Sequence, residues 1–321
     1  MSNYIALRHI NESGHKYLYD AIQQAITNNK PIVIGKIGAT ELLLIYQTIL
    51  QNQGRIINFI NSTIQEAINT GLHPPTNEVF KLFVNIYLEA IKEINVLASW
   101  NDNLLQVEEM LWNQFITAHN QSKTIDIPNE IKGIVDLTSL ESFYTTPVNW
   151  WQNLYKNKTI LIISPFTKSI SKQLEYPQRD KVWSGKWNNF WDKSINFKYI
   201  KFSHPYSILS KEEKEQYPAT FIDVIEKYKN EINQIGDFDI ALVGAGCYSI
   251  SLCSYIKTHI HQTAFHLGGG LQMMFGVYGN RWFQNGNPSD FFKEYINEHW
   301  LRPSGDEVPE GFRKQENGAY F

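Results

Sequence analysis

Five short runs rich in Ile, Val and Phe are each stopped by glycine or proline: PIVIGKIG, KTILIISPF, NFKYIKFSHP, FDIALVGAG and TAFHLGGG. Between them lie stretches of helical period, among them ATELLLIYQTILQN, Glu78 to Glu93, Pro218 to Gln234 and Tyr248 to Lys257. Strands that alternate with helices pair in parallel through helical crossovers, because a parallel partner cannot be reached by a tight turn. The pattern predicts an α/β fold, Rossmann-like and doubly wound around a mostly parallel sheet. From Asn58 to Ala98 the period is helical, broken at Gly71, Pro74 and Pro75, and a further helix is predicted from Leu104 to His119. With one weak strand at Gly133 to Leu137, this region reads as a helical lobe inserted in the N-terminal half. The whole chain, 1–321, is expected to be a single domain, with an N-terminal unit over 1–155 and a Rossmann-like unit over 156–321. Its end, from Trp300 onward, has no period and reads as coil that wraps the body.

Composition narrows the functional classes. A net charge of -3 and a pI near 6.3 remove the electrostatic case for nucleic acid. No apolar run approaches the roughly 20 residues needed to span a bilayer, and the start lacks the pattern of a signal peptide, so a cytoplasmic protein is expected. Cys247 and Cys253, the two cysteines, lie six apart on a predicted helix and form no disulfide framework or metal pair. Nine tryptophans serve either as core anchors or as sugar-stacking platforms; those of WSGKWNNFW, with Arg179 and Asp180, are candidates for an acceptor rim.

The chemistry concentrates between Phe238 and Trp282. No Asp or Glu occurs from Ala241 through Ser289, whereas Lys257 and Arg281 do. Gly244 and Gly246 close a strand ahead of a helix that begins near Tyr248, and exposed amides at such a turn favour negative charge. Gly268 and Gly269 repeat the device at the next strand end, followed by Gln272 and Arg281, which can fork onto a phosphate. His266 stands where a strand delivers a side chain into the crevice, either for proton transfer or as a structural group. Ser164, Lys168 and Ser169 follow another strand and suit phosphate or sugar hydroxyls; the alternative is a capped helix with a solvated lysine. A dinucleotide site is disfavoured, since position 249 is serine instead of glycine and no ribose-binding acid follows about 20 residues on.

At the first strand end Lys36, Gly38 and Glu41 place a charged pair in an apolar stretch, where burial is costly unless the charges are paired or used. The alternative for Glu41 is a favourable interaction with its own helix dipole. This K-x-G-x-x-E segment resembles the R-x-G-D-G-E element of GT-D-type glycosyltransferases, whose D-x-E binds a divalent metal and the donor nucleotide sugar. Lys36 stands in place of their arginine, and Ala39 in place of the first acid. A similarity over nearly the whole chain extends to uncharacterised bacterial and viral proteins that share strings like ISPFTKSISKQ, FDIALVGAGCYSISL and HLGGGLQMMFGVYGNRW.

The resemblance implies a glycosyltransferase that moves a sugar from a nucleotide-sugar donor to a glycan or glycoprotein acceptor. Glu41 would be its base or the one protein ligand of a Mn or Mg ion, with Lys36 and His266 beside it in the catalytic set. The donor diphosphate would sit among Gly38, Ser164, Lys168, Ser169, Gly244, Gly246, Tyr248, Gly268, Gly269, Gln272 and Arg281. The alternative, motivated by the loss of the first acid at Ala39, is a non-catalytic nucleotide-binding or glycan-binding protein derived from such a fold.

Overall fold

A computed structural model describes residues 8–52, 54, 61–100, 104–111, 133–141, 143, 149–183, 190–204, 217–284, 287–288, 290–294, 296–309, 311–314 and 316–321. Eight strands form one sheet: β1 (Arg8–His9), β2 (Val33–Gly35), β3 (Ile94–Ser99), β4 (Gly133–Asp136), β5 (Thr159–Ser164), β6 (Asn196–Lys201), β7 (Ile240–Val243) and β8 (Thr263–His266). Their order is β1-β4-β3-β2-β8-β7-β5-β6, and every pairing is parallel. The fold is therefore α/β and Rossmann-like, as the alternation predicts.

Side-chain alternation explains why this sheet must be covered on both faces. Leu161, Ile163, Ala241, Val243 and Ala264 enter one buried cluster, roofed by the helices Asn77–Ile91, Phe221–Gln234 and Ser249–Tyr255. Ile160, Ile162, Ile240, Leu242 and Phe265 enter the other, roofed by the helices Asn11–Thr27, Asn149–Tyr155 and Thr167–Leu174. Helix Asn11–Thr27 turns Leu18, Ile22 and Ala25 to the sheet, the spacing of one helical stripe. A capping box of Thr220 and Asp223 starts the helix Phe221–Gln234.

The segment expected to be a helical lobe differs from the expectation. INVLAS, residues 94–99, is the fully buried strand β3, so helices Asn61–Thr70 and Asn77–Ile91 belong to the crossover between β2 and β3. Both halves of the chain contribute four strands, and they meet where β2 pairs with β8 at Val33↔Ala264 and Ile34↔Phe265. Helix 104–111 accounts for the described part of the predicted Leu104–His119 helix; residues 112–119 lie outside the described residues. Among the described residues no helix is long and apolar enough to cross a membrane.

Trp151 and Trp191 are completely buried, and Trp183 and Trp191 both donate from Nε1 to the Met274 carbonyl at 2.9 Å. Arg179 spends its guanidinium on the carbonyls of Trp191 and Asp192. Of the expected acceptor rim, Trp183 and Trp191 are thus core, whereas Arg179 is half-buried and Asp180 is exposed.

Candidate functional site

Because all eight strands run the same way, their carboxyl ends share one edge of the sheet, where ligands bind in open α/β folds. A cavity of about 150 Å³ opens there, across the ends of β2, β8, β7 and β5. Lys36, Gly38, Glu41, Ser164, Gly244, Gly246, His266, Gly268, Gly269, Gln272 and Arg281 all line it. The sequence-distant β2 and β8 are hydrogen-bonded neighbours, so Lys36 and Glu41 come to lie beside His266.

Local backbone chemistry places each group. Gly38 accepts Leu42 N at 2.9 Å and so begins helix Ala39–Asn52, which puts Glu41 in the first turn. The Glu41 carboxylate folds back over Gly38, where a Cβ would strike it. Gly35 similarly leaves room for His266, whose Cβ lies 2.9 Å from where a Gly35 side chain would begin. Gly246 has φ +55 and abuts the Thr70 carbonyl, a combination of left-handed backbone and close approach that only glycine accepts without strain. Ser249 Oγ accepts Ala245 N at 2.8 Å and fixes the turn between β7 and its helix.

Three chemically capable groups face this space with little commitment elsewhere. Glu41 is 5 % exposed, and burial pushes its carboxyl up to about 7; its own backbone amide and Lys36 oppose the rise, while Glu316 adds to it. Lys36 is shifted down, first by burial and also by Arg281, with Glu141, Glu41 and Glu316 acting the other way. Its ammonium lies 5.5 Å from the centre of the Trp100 ring. His266 is 3 % exposed, is held down at about 3 by burial and the Lys36 charge, and keeps Nδ1 buried with no hydrogen-bond partner among the described residues. A buried polar atom left unmatched costs roughly 1–3 kcal/mol, which marks His266 as a functional candidate.

Three expected donor-binding residues lie elsewhere. Lys168 ion-pairs with Asp306, and the Lys168 and Ser169 amides and the Ser169 hydroxyl all bind the buried Glu307 carboxylate. The chain's own acid therefore fills the helix N-terminus that was expected to hold phosphate. Tyr248 is fully buried and donates to the Gly71 carbonyl at 2.8 Å, away from the cavity.

The acid-free stretch is also not an unopposed positive seat. Glu41 from the first helix after β2, Glu141 after β4 and Glu316 from the tail all act on Lys36. Arg281 donates to Tyr320 Oη at 2.7 Å and lies 3.7 Å from Glu316, while Tyr320 donates to Glu316 at 3.1 Å. Trp100, Glu141, Glu316 and Tyr320 escape a sequence reading. Trp100 follows an apolar strand that runs directly on from a helix, and the tail has no period that would place it over the cleft. Among the described residues no group of three His, Cys, Asp or Glu side chains is placed to hold a metal.

The fold and site define an α/β protein with a polar strand-end cleft. No family model, curated protein or solved structure matches the chain.

Proposed function

We propose that this protein is a glycosyltransferase that uses a nucleotide-sugar donor, with Glu41 as the general base. The observation that supports the reading most is Glu41 itself: a buried carboxyl held near 7, in a strand-end cleft beside a lysine and an unsatisfied histidine. A base works best when its pKa lies near the working pH. In the proposed reaction the acceptor hydroxyl attacks the anomeric carbon and gives its proton to Glu41. The bond from that carbon to the donor's phosphate oxygen breaks, and the nucleotide leaves with the electron pair. Lys36 and Arg281 neutralise the charge that develops on the leaving group. With Glu41 assigned as the base, a Mn or Mg ion would have to take its ligands from donor phosphates and water.

Thermal shift against UDP-, GDP- and CMP-sugars, with and without Mn²⁺, tests the reading. At least one donor at millimolar concentration is expected to raise the melting temperature, and K36A is expected to abolish that shift. Absence of any donor effect contradicts it.

A further inference from the structure

Beyond Lys36 and Arg281 the cleft continues into a second cavity of about 280 Å³, over the ends of β3 and β4. Lys36, Trp100, Gly269 and Arg281 line both spaces, so the two adjoin across a shared wall. The volume falls just below the ~300–1,000 Å³ typical of small-ligand sites, room for a monosaccharide-sized group.

The lining selects among ligand classes. Glu141 brings a carboxylate to this wall, seated against Gly270, where any side chain would collide with it. An anion is disfavoured there. Lys36 and Arg281 on the border disfavour a cation, and a purely apolar ligand would displace water from charged groups without offering them any polar contact. Trp100, Trp282 and Phe292 supply apolar ring surface. Trp100 is held in place by its Nε1, which donates to the Ile37 carbonyl at 2.8 Å. Apolar rings beside a fixed acceptor match one class best: an uncharged ligand with a C–H face and hydroxyl edges.

We propose that this second cavity is a saccharide subsite, with Glu141 accepting hydrogen bonds from sugar hydroxyls and the aromatic side chains packing on the ring. Its role as the acceptor subsite rests on the proposed transfer reaction; saccharide binding itself does not.

Saturation-transfer NMR on the full chain with a panel of methyl glycosides (gluco, galacto, manno, rhamno and N-acetylglucosaminyl) tests it. At least one glycoside is expected to receive saturation on its ring C–H protons at millimolar concentration. Loss of the carboxylate in E141A is expected to weaken that binding about tenfold, the effect of a lost hydrogen bond to a charged group, with E141Q in between. K168A, whose side chain lies outside the cavity, is expected to leave the signal unchanged. Should E141A fail to fold, E141Q alone carries the comparison. No saturation of any glycoside, or saturation that both Glu141 variants leave intact, overturns the subsite. Glycoside binding without stabilisation by any nucleotide sugar upholds the subsite and removes the transfer reading instead.

Discussion

At the residue scale the site is governed by charge held out of water. Glu41 carries a folded-state pKa of about 7 against an ordinary value of 4.5, so the folded protein binds more protons than the unfolded chain between those values. Its contribution to stability therefore falls as pH rises from 4.5 through 7. The difference of about 2.5 units corresponds to a penalty on the order of 3 kcal/mol above pH 7. E41Q is accordingly expected to raise the melting temperature at pH 8 and to change it little at pH 4.5, as calorimetry would show. His266 works in the opposite direction. Its pKa is depressed to about 3 by burial and Lys36, so stability is complete above 6.5 and is lost as pH falls toward 3. His204, buried at the same cleft and depressed to about 4 mainly by burial, adds to that acid sensitivity. H266N is expected to reduce the loss of stability between pH 6.5 and 4 in denaturant titrations; an unchanged slope would remove His266 from the set of buried neutral histidines.

At the element scale the glycine turns carry the geometry. G246A adds a Cβ at φ +55 and against the Thr70 carbonyl, and an expected loss of about 1–3 kcal/mol would appear as a lower urea midpoint. Strands β2, β5, β6, β7 and β8 are legible in sequence because each is a compact apolar run stopped by glycine or proline. β3 is not, since Ile94 follows helix Asn77–Ile91 after two residues and no breaker separates the two periods. β1, two residues long, is too short to show an alternation. Lys36, Glu41 and His266 could be placed in the site because they sit at legible strand ends. The sequence also puts Ser169 and Lys168 there, because their helix start has the hydroxyls and lysine of a phosphate seat; only the tertiary position of Glu307 distinguishes the two.

At the scale of the whole molecule, the tail returns from the far end of the chain to close the cleft. Gln272 donates to the Tyr320 carbonyl at 3.2 Å, Arg281 N donates to Ala319 O at 2.7 Å, and Phe321 packs on Phe166 and Phe312. Glu316 and Asn317 hold left-handed backbone at φ 46 and 54, a local cost of order 1–3 kcal/mol at Glu316 and less at Asn317, since asparagine tolerates this region. Glu316 places a negative charge where a diphosphate would approach Arg281. E316Q is expected to tighten nucleotide-sugar binding several-fold in calorimetric titrations, and weaker binding would show that Glu316 positions Arg281 instead.

The most direct measurement is the pH dependence of donor turnover by the wild-type protein and by E41Q, with the stabilising nucleotide sugar as substrate. Wild-type turnover is expected to rise with pH along a limb whose apparent pKa is near 7, and E41Q is expected to lose both the limb and most of the rate, about 100-fold or more. An E41Q protein that turns over donor as fast as the wild type, with the same pH profile, would contradict the assignment of Glu41 as the base.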